Sequence, residues 1–175
     1  MKLNRNKIYI ALGSNLRSFS IKNTKDFFNA IVFRLGLLGI KVKKRSGIWI
    51  SNPIPFSSGP IFFNSVIECS LLFNNSLDPK DLLNKINKLE KKLGKKFKGK
   101  NKQRVIDIDI IDFHGDIYSD KLILPHPRMH SRKFVLLPLQ ELDKYWSHPL
   151  IRKNCIFLIS KIKGNQMIKK SKMFS

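Results

Sequence analysis

Two aspartates one residue apart, Asp107 and Asp109, lie in the most β-branched run of the chain, RVIDIDIIDF at residues 104 to 113. The run reads as a buried strand. Side chains alternate across a strand, so both carboxylates project to one face with their Cα atoms roughly 6.6 Å apart. Val105, Ile106, Ile108, Ile110 and Ile111 supply the apolar bulk. Two like charges side by side destabilise a sheet unless something positive lies above them. A divalent cation is one answer: paired carboxylates are hard oxygen ligands for Mg²⁺, and a lysine-rich loop beside them suits phosphate oxygens. Such a loop, KKFKGKNKQ, immediately precedes the strand. The D-x-D pattern by itself is also used by glycosyltransferases and polymerase palms, and a pair at a strand end can simply be solvated.

The elements that must position this pair can be read outward from it. KIYIAL, residues 7 to 12, predicts a first strand closed by a turn at Gly13-Ser14-Asn15, and residues 24 to 38 carry Phe27, Phe28, Ile31, Val32, Leu35 and Leu38 at helical spacing. IKVKKRSGIWI (40 to 50) and FFNSVIECSLLF (62 to 73) predict strands, the second with Ile67, Cys69, Leu71 and Phe73 on one face. Asp78 and Pro79 supply an N-cap and a first-turn proline for a helix with an apolar stripe of Leu82, Leu83, Ile86, Leu89 and Leu93, ended by Gly94. The order β-α-β-β-α-β points to an α+β, ferredoxin-like antiparallel sheet with helices on one face. The remainder predicts a C-terminal extension with a short helix or two.

At 175 residues the chain is long enough for one domain with a sizeable core, taken as residues 1–162, followed by a basic tail at 163–175 expected to be mobile. With 34 Lys and Arg against 12 Asp and Glu, the formal charge of +22 favours polyanionic partners. Most of that charge is Lys in company with much Asn, Ile and Phe, a composition that A/T-rich codons also produce, so charge does not select a partner. Cys69 and Cys155 are too few and too isolated for a disulfide framework or a cysteine zinc site, which points to the cytoplasm. No apolar stretch approaches the ~20 residues of a membrane span.

In this order, YIALGSNL, NP followed by FFNSVIECS, LLNKINKLEKKLGKK, RVIDIDII and LILPHPRMHSRKFVLLPL resemble the 6-hydroxymethyl-7,8-dihydropterin pyrophosphokinase family of the folate pathway. The resemblance runs from about residue 8 to 142. It implies transfer of pyrophosphate from ATP, as co-substrate, to the pterin hydroxymethyl group, with release of AMP. It implies two Mg²⁺ ions bridged by Asp107 and Asp109, with Arg104 beside them and a catalytic role for Lys95 in the loop from Gly94 to Gln103, which is expected to be mobile until phosphates order it. ATP contacts are implied for Leu83, Asn87, Glu90, Lys96, Lys98, Arg104, Ile110, Lys121, Leu122, His126 and Arg132. A pterin pocket is implied at Ser51, Pro53, Ile54, Phe62, Asn64 and Phe134. Lys95 stands where the family carries an arginine, and Gly59 where many members have glutamine. The resemblance carries no membrane or nucleic-acid partner and suggests a monomer.

Each residue also has a plainer account. Glu90 lies in lysine-rich KLEKKLGKK, where a glutamate is ordinarily solvated, although its spacing from Leu83 puts both on one helix face. Phe62, Asn64 and Phe134 are ordinary strand and core types. His114, His130 and His148 have no metal-ligand spacing and read as surface groups, while Asp112 and Asp116 read as turn residues around FHGD. A different class, an RNA-binding module of RRM type, shares the element order and suits the charge. It reads RNA with aromatics on an open sheet face and has no use for two carboxylates there.

Overall fold

The computed structural model describes residues 7–16, 20–54, 59–72, 77–94 and 105–171. Strand β1 (Ile8–Ser14) is central, flanked by β4 (Phe62–Leu71) and β5 (Asp107–Phe113). Beyond β4 lie β2 (Ile40–Arg45) and β3 (Trp49–Ser51), one after the other along the same edge, and β8 (Ile168–Lys170) closes the edge on β3. Every neighbouring pair is antiparallel. A short hairpin, β6 (Tyr118–Ser119) with β7 (Ile123–Leu124), follows β5. The α+β class expected from the sequence is the one observed.

Helix α1 (Ile21–Leu37) starts earlier than its apolar spacing predicts because Ser20 caps it, its side chain accepting the Asn23 N–H at 3.2 Å. Helix α2 (Pro79–Lys92) follows the sequence closely: Asp78 accepts from the Lys80 N–H at 2.7 Å, Pro79 opens the first turn, and Gly94 follows with φ +89°. Three predictions differ. The expected turn at Gly13 and Ser14 is strand, since both residues pair with β4 and Gly13 also pairs with Asp107. The expected single strand at 40 to 50 breaks at Ser46. Three residues between Arg45 and Trp49 run opposite two between Ile67 and Asn64, and Ser46 Oγ absorbs the excess by accepting the Val66 N–H at 3.0 Å. The expected tail is not all tail, because residues 168–170 add an edge strand to β3. Phe73, the basic loop with Lys95, Lys96, Lys98 and Arg104, and residues 172–175 lie outside the described residues.

The largest correction concerns the layers. Ile8, Ile10, Leu12, Ile67, Cys69, Ile108 and Ile110 pack on one face against Phe28, Ile31 and Leu35 of α1 and Leu82, Ile86 and Leu89 of α2. The opposite face, expected to be open, is covered too. There Tyr9, Val66 and Ile111 pack against Val135, Leu136 and Leu139 of α3 (Lys133–Leu142) and Cys155 and Leu158 of α4 (Cys155–Ser160). The neighbouring strand β4 shows why: it is buried without interruption from Phe63 to Cys69, which requires cover on both sides. Asn64 and Glu68, on the same face as Val66, make that strand look one-sided in sequence, yet both are buried. With helices on both faces, the open sheet that an RRM needs is not there. His148 is a second correction: it is buried, not superficial, and its Nδ1 accepts from the N–H groups of Leu150 and Ile151. Among the described residues no helix is long and apolar enough to cross a membrane.

Candidate active site

On the face of α3 and α4, the three central strands form cross-strand rows. Glu68, Tyr9 and Asp112 make one, Val66, Ala11 and Asp109 the next, and Asn64, Gly13 and Asp107 the last. Along β1 the side chain shrinks from Tyr9 to Ala11 to Gly13, so space opens toward the Asp107 end. A register shift at Tyr9/Ile10 inserts an extra residue in β5, which returns Asp112 to the same face as Asp107 and Asp109. The cavity over the last two rows has a volume of about 580 Å³, and Ala11, Gly13, Asn64, Asp107 and Asp109 are among the residues that line it.

Its walls differ in chemistry. On the β3 and β4 side stand Ser51, Pro53, Ile54 and Phe62, with Phe134 and Val135 from α3. Asn64 is fixed there by its Nδ2, which donates to Ser51 Oγ at 3.0 Å and to the Trp49 carbonyl at 3.3 Å. On the β5 side, Asp107 and Asp109 share the cavity with His126, Arg128 and Arg132. Burial holds the His126 imidazole below its ordinary pKa; Asp109 pulls it upward, and Arg132 and Arg128 push it further down. Its Nδ1 accepts the Arg128 N–H at 3.2 Å, so the neutral ring carries its proton on Nε2. The Arg132 guanidinium stands 5.4 Å from the centre of the Phe134 ring, linking the two walls.

All six residues expected around a pterin therefore line one cavity, together with both aspartates, His126 and Arg132. Leu83, Asn87, Glu90, Ile110, Lys121 and Leu122 do not line it. Ile110 and Leu122 have their side chains in the core beneath the sheet, and Lys121 is exposed. Glu90 is buried, and its Oε1 accepts the Ile108 N–H at 2.7 Å. It thereby ties α2 to the peptide between the two aspartates. Sequence reasoning missed Gly13, Asn15, Asn52, Arg128 and Ser131, which also line the cavity. For Gly13 and Asn15 a signal existed, a Gly-Ser-Asn run at the end of a strand, but taking it as a turn hid it. Arg128 sits in PRMHSR beside residues that were singled out, and its type alone distinguished it from no other surface arginine.

Among the described residues no group of three His, Cys, Asp or Glu side chains is assembled for a metal ion. The aspartate pair nonetheless fits a hard cation that takes its remaining oxygens from water and phosphate, as Mg²⁺ commonly does. Carboxylates beside cations on one wall, and two aromatic rings with an anchored amide on the other, have the chemistry to hold a charged co-substrate against a planar polar ring.

The chain belongs to the 7,8-dihydro-6-hydroxymethylpterin-pyrophosphokinase family, whose model matches residues 9–144. It is 37% identical over 145 residues to the folic acid synthesis protein fol1 of Pneumocystis carinii, covering 82% of this chain and 18% of that protein. To the 2-amino-4-hydroxy-6-hydroxymethyldihydropteridine pyrophosphokinase of Aquifex aeolicus it is 31% identical, over 83% of this chain and 86% of that one. To the Bacillus subtilis protein of the same name it is 34% identical, over 78% of each. The chain spans less than a third of the length of several of its relatives, those whose names describe folic acid synthesis or bifunctional folate proteins.

Proposed function

We propose that this chain transfers pyrophosphate from ATP to the hydroxymethyl group of 6-hydroxymethyl-7,8-dihydropterin. The pterin oxygen attacks the β-phosphorus, the bond from that phosphorus to the α,β-bridging oxygen breaks, AMP leaves, and the hydroxyl proton passes to solvent. The observation that carries this is the juxtaposition in one cavity of the Asp107–Asp109 pair with an amide and aromatic wall, in a chain of this family. Asp107 and Asp109 would hold Mg²⁺, two ions in this reading, which supplies charge neutralisation at the attacking and leaving oxygens.

The chain's own residues do the rest by positioning. Phe62 and Phe134 offer faces to the pterin ring, and Asn64, its amide already held by Ser51, offers a fixed polar group to the ring edge. His126 and Arg132 take nucleotide oxygens, with Arg132 the permanent charge and His126 a neutral donor at pH 7. Glu90 acts on the aspartates through the Ile108 peptide. Lys95, Lys96, Lys98 and Arg104 would approach the phosphates from the loop, and Leu83, Asn87, Ile110, Lys121 and Leu122 remain candidates for nucleotide contact. The enzyme is taken to work as a monomer in the cytoplasm. Two buried free cysteines whose thiols burial pushes up to about 12 suit such a reducing compartment.

The test is formation of AMP from ATP that depends on both the dihydropterin and Mg²⁺. ADP as the nucleotide product, or AMP formed equally without the pterin, would overturn the assignment.

A further inference from the structure

Position 132 is the N-cap of α3, with extended backbone (φ −122°, ψ 104°), and its own side chain makes no capping hydrogen bond. Ser, Thr, Asp and Asn are favoured there because their oxygens accept from the exposed N–H groups of the first turn, whereas a guanidinium has only donors. The acceptor comes from the far end of the chain. Gln166 Oε1 accepts the Lys133 N–H at 2.9 Å, and Gln166 Nε2 donates to the Ser131 carbonyl at 2.8 Å. One carboxamide thus grips the residues on both sides of Arg132.

Gln166 is in turn held to the sheet that carries the cavity. The Met167 carbonyl accepts the Asn52 N–H at 3.3 Å, Ile168 pairs with Ser51, and Lys170 Nζ lies 3.0 Å from Glu141 Oε1. That Glu141 carboxylate also accepts from the Gly47 N–H and Trp49 Nε1–H, each at 2.9 Å. The family match ends at residue 144, well before this segment.

We propose that Gln166 is a positioning residue for Arg132. It stands in for the missing N-cap side chain of α3, which frees position 132 to present a guanidinium to the cavity. It also fixes that guanidinium relative to His126 and the Phe134 ring. Gln166 does not line the main cavity, and its two hydrogen bonds reach Arg132 through the 131–133 backbone. The inference rests on the reading of Arg132 as a nucleotide-contacting group.

The test is steady-state AMP formation by the full chain carrying Gln166→Ala, Arg132→Ala, or both. Losing a hydrogen bond on each side of Arg132 is expected to raise the KM for ATP about tenfold in Gln166→Ala, with kcat changed less than KM. Arg132→Ala should cost more, and the double variant should be no worse than Arg132→Ala, because nothing is left to position. Gln166→Glu keeps the acceptor for Lys133 but loses the donor to Ser131, and should fall between wild type and Gln166→Ala; it carries the same cycle if Gln166→Ala melts too low to assay. Additive losses in the double variant, or an impaired Arg132→Ala beside an unchanged Gln166 variant, overturn this inference alone. A wild-type KM for ATP in Arg132→Ala overturns the reading of Arg132 and the inference with it.

Discussion

Strand β5 carries carboxylates toward both ends of one sheet face, and the fold treats them in opposite ways. Asp112 is 4% exposed, accepting the Trp146 Nε1–H at 2.7 Å and the Gly115 N–H at 2.9 Å. Burial pushes its carboxyl above the usual range, and those two hydrogen bonds hold the rise in check. Beside it, Asp143 accepts from Tyr9 OH and Lys7 Nζ, both at 2.8 Å. Burial raises that carboxyl, but the two donors outweigh it and keep Asp143 below its ordinary pKa. Three residues before Asp112, Asp109 is exposed on a cavity floor beside Ala11, where no large side chain from β1 intervenes. A carboxylate whose partners are built into the fold is structural. One set on a cavity floor among small neighbours is placed for a partner that arrives from outside.

The strongest way to break this contrast is to remove the pair on the cavity floor. Asp107→Ala or Asp109→Ala should lower turnover by about a thousandfold or more, while the melting temperature holds or rises because a like-charge neighbour has gone. Mg²⁺-dependent turnover near the wild-type rate in both variants would erase the distinction between the two ends. The converse substitution, Asp112→Ala, strands the Trp146 and Gly115 N–H groups and should cost about 2–4 kcal/mol in denaturant unfolding. Its kinetic constants at low temperature should stay close to wild type. A stable Asp112→Ala that has lost turnover would invert the comparison.

The cavity's own two walls can be separated with Asn64→Ala. It should weaken dihydropterin binding by about 1–3 kcal/mol by leaving ligand polar atoms unpaired, with little change for ATP. Equal weakening of both ligands, measured calorimetrically, would mean that the amide wall has been misassigned.

The smallest effect belongs to the closed end, where His148 packs edge-on to the rings of Trp146 and His130. Burial, and secondarily His130, lowers its pKa from the ordinary 6.5 to about 4. The unfolded chain therefore binds more protons between those values, so stability is full above pH 6.5 and falls on acidification toward 4. The loss from this group should reach about 1 kcal/mol by about pH 5.5. His148→Gln should flatten that part of the pH–stability curve, and a curve of unchanged slope would remove His148 from the closed end's buried set.

What local chemistry dictates was legible in the sequence. The cap, proline and glycine of α2 act within a few residues of one another, and strand alternation alone puts Asp107 and Asp109 on one face. The resemblance, resting on ordered motifs, also named six residues of one cavity wall from three separate segments. Everything that depends on which strand lies next to which was decided by the tertiary structure. Gly13 becomes a cavity floor only because Asn64 and Asp107 flank it, and Asn64 and Glu68 look solvent-facing until α3 and α4 cover that side. Gln166 is an unremarked polar residue in a basic segment until β8 pairs with β3 and delivers its carboxamide to the start of α3. Such neighbours are far apart in sequence, and a polar side chain gives no sign of its distant partner, since the same atoms hydrogen-bond equally well to water.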